Sequence, residues 1–304
     1  MGNATLFQIS KTAEMRFAPI QNFQDWLTQQ WVILCGRKIK PENDLWLMGP
    51  FGNLNAMSKD FIHQLAKKEN LIVEEGSKAK GIIPSMLKLN LSETEFSNLS
   101  KNVIDFYENT SNHTLSFSIQ WNPYFKFFGI LINKLFSNRI NQLNIPTKSI
   151  DGSESIKSEI INLTDPKTNE IKHTFWFRSI ESTRQVIYSG VYGISNLPSG
   201  KTCVKAVFPL PNGNATVLMI PNVGKNGELI LDSSGKKFGD AGFYFLLKDS
   251  KGEYWSQFIR SFRDRLIIGS ENDMISAEQT LTLWHFKVLT FIYKIELKKT
   301  GSLM

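Results

Sequence analysis

From residue 157 to residue 297, apolar and polar side chains alternate with period two. The pattern predicts strands at 157–163, 172–180, 184–195, 202–208, 215–221, 228–233, 243–248, 253–260, 264–269 and 279–297. The last run is long enough for two strands. Turn clusters separate them: Asp165-Pro166, Pro198-Ser199-Gly200, Pro211-Asn212-Gly213-Asn214, Lys225-Asn226-Gly227, Asp249 to Gly252 and Glu271-Asn272-Asp273. A strand and turn every ~8–12 residues is the spacing of an antiparallel meander. Residues 253–266 also suit a helix, because Trp255, Ile259, Phe262 and Leu266 recur at helical intervals.

Before residue 150 the period is mostly helical. Phe23, Trp26, Leu27, Trp31 and Leu34 form one stripe, and a short helix is expected over Asp60 to Lys68, followed by a strand at Leu71 to Glu74. Ser92-x-x-Glu95 has the form of a capping box, and Phe96, Leu99, Val103, Phe106 and Tyr107 fall on one helical face behind it. Thr114 to Trp121 alternates as a strand. Asn122-Pro123 then opens a helix with a cap residue and a first-turn proline. That helix carries a broad apolar face from Phe125 to Ile140 and stops before Pro146. Residues 149–155 are a polar linker. The fold class expected is α+β: a large antiparallel β-barrel or curved meander sheet of about ten strands, with an N-terminal α/β and helical part packed on it. Closure is favoured because it removes exposed edges. The division expected is an α/β segment over 1–90 and helices followed by the barrel-like domain over 91–304.

Composition narrows the function classes. With 304 residues, 41% of them hydrophobic, the chain can bury a real core, and its two cysteines exclude a disulfide scaffold. The net charge of +7 is spread over both halves. A nucleic-acid binder gathers its excess on one face, so no nucleic-acid partner is expected. The sharpest local cluster is Arg260, Arg263 and Arg265, with Asp264 inside it. The most apolar stretch, Tyr124 to Phe136, is shorter than the roughly 20 residues of a membrane span. No transmembrane segment and a cytoplasmic location are expected.

Familiar chemistry is mostly missing. The four histidines lie far apart and no Cys-x-x-Cys occurs, so neither a metal nor a cofactor is expected. Gly200-Lys201-Thr202 lacks the upstream glycine and the following helix of a phosphate loop. Tyr244-x-x-x-Lys248 has dehydrogenase spacing without a dinucleotide fingerprint. No Gly-x-Ser-x-Gly is present, and Cys203 sits in strand core. Three features inside strands remain as candidate ligand contacts: Lys205, which interrupts an apolar strand; Tyr188 and Tyr192, with Gly190 between them; and Arg178, beside Trp176. A buried lysine can react as a nucleophile, whereas one on the solvent face of its strand is inert. A glycine between tyrosines leaves room for a ligand or marks tight packing. An arginine among aromatics holds an anionic head group or snorkels outward. The loop Ser233 to Gly242, with three glycines and Asp240, is either a lid or a structural turn.

Several stretches resemble a set of uncharacterised bacterial proteins, some of which look like the soluble tail of YndJ-like membrane proteins. They are Asp105 to Thr110, the helix Pro123 to Pro146, Val-Phe-Pro-Leu-Pro-Asn-Gly-Asn-Ala-Thr over 207–216 and Ser-Gly-Lys-Lys-Phe-Gly-Asp over 234–240. The resemblance covers roughly residues 82–297. It brings no catalytic residue with it and implies a link to membrane proteins. The function expected is binding of an apolar or amphipathic small molecule, a lipid among them, inside the barrel, with Arg178, Tyr188, Tyr192 and Lys205 as polar contacts. The alternatives are an enzyme of unknown class working through a pocket lysine, tyrosine or carboxylate, and a module that docks on a membrane-protein partner through the helix Pro123 to Asn141. Catalytic residues stay unknown.

Overall fold

The computed structural model describes residues 29–52, 59–76, 80–125, 155–184, 186 and 189–298. Residues 29–35 are helical (α1), followed by β1 (Arg37–Ile39), α2 (Lys59–Glu69) and β2 (Ile72–Glu75). Next come α3 (Glu93–Asn98), α4 (Lys101–Glu108), β3 (His113–Trp121), β4 (Ser155–Thr164), β5 (Ile171–Ile180), β6 (Gly190–Asn196) and β7 (Thr202–Leu210). The remaining strands are β8 (Gly213–Val223), β9 (Leu229–Asp232), β10 (Gly242–Lys248), β11 (Tyr254–Phe258), β12 (Phe262–Glu271), β13 (Met274–Leu283) and β14 (Phe286–Leu297).

Ten of these strands close into an antiparallel barrel. Their order is β8-β7-β6-β5-β4-β3-β14-β13-β12-β9, and β9 returns to β8. Two strands fork. β8 pairs with β10 over Gly213 to Leu218 and with β9 over Ile220 to Val223. β4 pairs with β3 at Ser155 and Ile156 and with β2 over Ile161 to Thr164. The branch β10-β11-β1 lies outside the ring. The meander is therefore less regular than the turn spacing predicts: β10 and β11 leave the barrel, and β3, from before the linker, closes it against β14. Residues 253–266 hold β11 and the start of β12 and no helix, and the run 279–297 belongs to β13 and β14.

Alternation sorts the side chains into two cores. Val204, Ala206 and Phe208 of β7 point into the barrel, as do Ala215, Val217 and Met219 of β8. Val207 points out and is covered, with Phe175 and Leu163, by Phe61, Ile62 and Leu65 of α2. Cys203 and Leu218 lie under Trp46 and Leu47. A strand buried on both faces reads as a nearly continuous apolar run, which is why β7 and β8 look so hydrophobic. Strands β1 and β2 place the N-terminal segment in the same sheet as the barrel.

The helical face over Phe96 to Tyr107 is divided between two helices. The expected capping box is present, with Ser92 Oγ accepting from Glu95 N and the Glu95 carboxylate from Ser92 N. The helix then breaks at Leu99 and Ser100, because Ser100 N donates to Gly227 O at 3.0 Å and Asn98 Nδ2 to Gly224 O at 3.0 Å. These bonds to the β8–β9 turn draw the chain out of helical geometry. Val103, Phe106 and Tyr107 of α4 stay buried and cap the barrel core. In α1 the buried residue is Val32, whereas Trp31 and Leu34 of the expected stripe are exposed. Asn122 caps residues 123–125 as expected, its Oδ1 accepting from Tyr124 N at 3.1 Å. The rest of that helix lies outside the described residues.

One hairpin is strained. β13 and β14 are joined by the two-residue loop Trp284-His285, both with positive φ, 47° and 70°. This is the geometry of a type I′ turn, which suits Asn-Gly; for bulkier residues the left-handed region costs roughly 1–2 kcal/mol each. Trp284 is largely exposed, so its replacement gives up little packing. Trp284→Asn with His285→Gly is expected to stabilise the protein by about 1–2 kcal/mol. It should appear as a higher urea midpoint at unchanged slope; an unchanged or lower midpoint would contradict it.

Candidate functional site

The polar side chains inside the barrel form a row across its floor. Alternation along β5 sends Trp176, Arg178 and Ile180 inward. The Arg178 guanidinium lies over the Trp176 ring, 3.9 Å from its centre, and donates from Nη2 to the Tyr192 hydroxyl at 2.9 Å. It also interacts with the Tyr293 hydroxyl. Trp176 is itself fixed by its indole N–H, which donates to Ser158 Oγ at 2.8 Å. Ser189 Oγ accepts from Arg178 N at 2.9 Å where β5 parts from β6.

Two diagonal steps continue the row over β14, β13 and β12. Gln279 faces Phe291 in register, and Tyr293, two residues along, reaches back to donate to Gln279 Oε1 at 3.2 Å. Leu266 faces Gln279, and Asp264, two residues away, accepts from Gln279 Nε2 at 2.8 Å through Oδ2. Such diagonal neighbours lie within reach of long side chains. Ser233, at the end of β9, holds the Asp264 backbone from both sides: its N–H donates to Asp264 O at 3.0 Å and its Oγ accepts from Asp264 N at 2.7 Å.

The other carboxylate oxygen, Oδ1, has no partner. Asp264 is only 4% exposed, and burial pushes its carboxyl up to about 7, assisted by the nearby Asp232 and opposed by the Gln279 hydrogen bond. Burial also raises the Tyr192 and Tyr293 hydroxyls above the ordinary phenol range, so both stay neutral donors at physiological pH. The row borders a cavity of about 60 Å³, lined elsewhere mostly by apolar side chains that include Phe106, Val217, Met219 and Leu266. Among the described residues, Asn162, Ser256 and Thr290 also carry unpartnered buried atoms, but Asp264 is the one that lines this cavity.

The structure brings Arg178 and Tyr192 together and separates them from Lys205. Tyr188 lies outside the described residues. Lys205 points out of the barrel, opposite Val204 and Ala206, yet it is only partly exposed: the 46–49 segment lies over it, and its ammonium donates to Met48 O. Burial brings this amine down to about 8, with a smaller opposing influence from Cys203. Gly190 marks tight packing, because a Cβ there would lie 3.0 Å from the Phe208 ring. Glu159 lies on the outer wall, ion-paired with Lys157 at 3.0 Å and Lys59 at 3.5 Å, so it does not cluster with Arg178.

The remaining motifs are structural. Tyr244 is buried while Lys248 is exposed, and the Tyr244 hydroxyl donates to Asp240 O at 2.6 Å and accepts from Gly239 N at 3.1 Å. Asp240 accepts from Lys236 N and Lys237 N, so the 233–242 loop is a self-bonded turn. Cys203 is buried, with its thiol pushed up to about 12 by burial. Among the described residues no three His, Cys, Asp or Glu side chains converge to hold a metal ion, and no helix is long and apolar enough to cross a membrane.

The alternation that identifies the strands carried a signal for the missing residues. Asp264 shares a strand face with Phe262, Leu266 and Ile268, and Gln279 lies between Ala277 and Leu281 on theirs. A lone polar residue on an otherwise apolar face is the mark of an interior polar group.

No family model matches the chain, and no solved structure matches it. Over 228 residues it is 24% identical to the protein named uncharacterized membrane protein YndJ of Bacillus subtilis (strain 168), covering 74% of this chain and 40% of that protein. The chain therefore spans less than half the length of the curated relative it matches. The similarity agrees with the resemblance read from the sequence.

Proposed function

We propose that this chain binds a compact small molecule inside the ten-stranded barrel, against the row Arg178, Tyr192, Tyr293, Gln279 and Asp264. The observation that carries this reading is the buried, unpartnered Asp264 Oδ1 beside an internal cavity. A barrel filled for stability alone would place an apolar side chain there, since burying a polar group without a partner costs about 1–3 kcal/mol. A closed barrel of this size is wide enough to hold one small ligand.

The cavity limits the occupant. At about 60 Å³ it is well below the roughly 150 Å³ of an engineered cavity that takes up benzene. An acyl chain of ordinary length does not fit that volume, so the amphipathic ligand of this reading has a short apolar body. Its tail would rest on Ala206, Val217, Met219, Leu266 and Ile268, and its polar end on the row.

The test is native mass spectrometry of protein purified without detergent, followed by solvent extraction and a thermal-shift screen of compact fragments. A reproducible added mass, or a fragment that raises the melting temperature and whose effect is lost in Asp264→Leu, is the expected result. A bare mass from several expression hosts, with no stabilising fragment, would overturn the reading and leave a filled barrel.

A further inference from the structure

We propose that the ligand is a short-chain monocarboxylate, its two oxygens received by Asp264 Oδ1 and the Tyr192 hydroxyl. This inference rests on the barrel-binding reading and adds the chemical class of the occupant.

The direction of the hydrogen bonds is the main support. Arg178 donates to the Tyr192 oxygen, Tyr293 donates to Gln279, and Gln279 donates to Asp264 Oδ2. Because Oδ2 already accepts, a proton carried by Asp264 resides on Oδ1, the atom without a partner. The Tyr192 oxygen is likewise an acceptor already, and no described residue accepts its proton. Both groups border the same cavity, and Asp264 is near enough to Tyr192 to act on its hydroxyl electrostatically. With Asp264 protonated, both side chains at the edge of the cavity are O–H donors. An acceptor with two oxygens on one carbon satisfies both; an alcohol satisfies one and brings a further donor. An ammonium group has no acceptor there while Asp264 is neutral.

Size and charge agree with this assignment. A short carboxylate suits a cavity of about 60 Å³ whose wall is mostly apolar. Arg178, which also lines the cavity, places a positive charge beside the Tyr192 hydroxyl, favourable to an anion.

The pairing needs Asp264 protonated, and its surroundings decide when that holds. The charged and titratable groups around it are Tyr107 of α4, Arg178 of β5, Tyr192 of β6, Asp232 of β9 and Tyr293 of β14. Burial keeps the three tyrosines protonated, and Asp232 disfavours ionisation of Asp264. Asp264, near 7, is therefore the group in this set that changes charge between pH 6 and pH 8. Once ionised it repels a carboxylate.

The experiment is calorimetric titration of the full chain with propionate, butyrate, propylamine and 1-propanol at pH 6 and pH 8. Propionate and butyrate are expected to bind at pH 6 and about tenfold more weakly at pH 8, with a proton taken up at the higher pH. Asp264→Asn keeps a donor at the position, so it should bind carboxylates equally at both values. Tyr192→Phe should weaken binding without altering the pH dependence. Circular dichroism verifies that both near-isosteric variants are folded. Propanol or propylamine binding in preference to the carboxylates would overturn the monocarboxylate assignment and leave the barrel reading standing. If all four probes fail and no compact fragment raises the melting temperature either, the barrel reading falls with it.

Discussion

Asp264→Asn is expected to stabilise the protein at pH 8 by up to roughly 4 kcal/mol, and the gain should vanish near pH 4. In the unfolded chain this carboxyl titrates near 3.8, whereas in the barrel burial raises it to about 7. Between those values the native state holds a proton that the unfolded state has released. Stability therefore falls as pH rises through this window, and the loss is complete above about 7. Each pH unit of separation corresponds to about 1.4 kcal/mol, and three units give the quoted ceiling. Water entering the cavity would reduce it. Asparagine keeps the shape and the acceptor for Gln279 but never ionises. Urea unfolding of both proteins at pH 4, 6 and 8 measures the effect. A gain independent of pH, or a loss at pH 8, would show that Asp264 is not buried in the way described.

A residue that lowers stability at physiological pH, where its amide counterpart would not, has a cost that its fold does not require. Asp264 is held by Ser233 through both backbone groups and by Gln279 through one oxygen, while the other oxygen is left open. The same accounting separates Asp264 from Lys205. The lysine is also largely covered, but its ammonium has the Met48 carbonyl as acceptor, and the segment that supplies that carbonyl completes its surroundings. Of the two, the carboxyl is the one that still needs a partner.

What the sequence reveals depends on how local its cause is. Strand positions are legible because alternation is a property of neighbours, and the turn Asn272-Asp273 is legible because those residue types tolerate positive φ. Trp284-His285 is illegible for the opposite reason: nothing about Trp or His announces a type I′ turn, so the run 279–297 is long enough for two strands but does not show where it divides. The break between α3 and α4 is set by bonds to the turn at Gly224 and Gly227, far along the chain, and the helical stripe runs straight through it. The period of β7 gives the outward direction of Lys205, but its cover comes from residues 46–49. Asp264 was hidden by its neighbours. Arg263 and Arg265 make it look like part of a surface charge cluster, and only the inward apolar residues Leu266 and Ile268 reveal which way it points.

Phe106→Ala should have the second large effect, because Phe106 is the stopper of the cavity on the α4 side. Its ring packs edge-on against Trp176 at 6.3 Å, His113 at 5.4 Å and Tyr107 at 5.4 Å, and it forms part of the cavity wall. Truncating a buried phenylalanine costs about 3–5 kcal/mol, partly as lost transfer energy and partly as the hole left behind. The bonds that hold α4 do not involve this side chain: Ser100 N still reaches Gly227 O and Ile83 N still reaches Tyr107 O. The helix should stay in place and the existing cavity should grow. An enlarged apolar cavity can take an apolar guest, and binding to the native state alone recovers stability as the guest concentration rises. Benzene is therefore expected to raise the melting temperature of Phe106→Ala and leave that of the parent unchanged. Hexanoate, too long for the parent cavity, should bind the variant at pH 6 and lose affinity at pH 8, as the Asp264 carboxyl requires. A variant destabilised by less than about 1 kcal/mol, with no response to benzene, would mean that α4 collapses into the space. The present cavity would then be a packing defect with no role in binding.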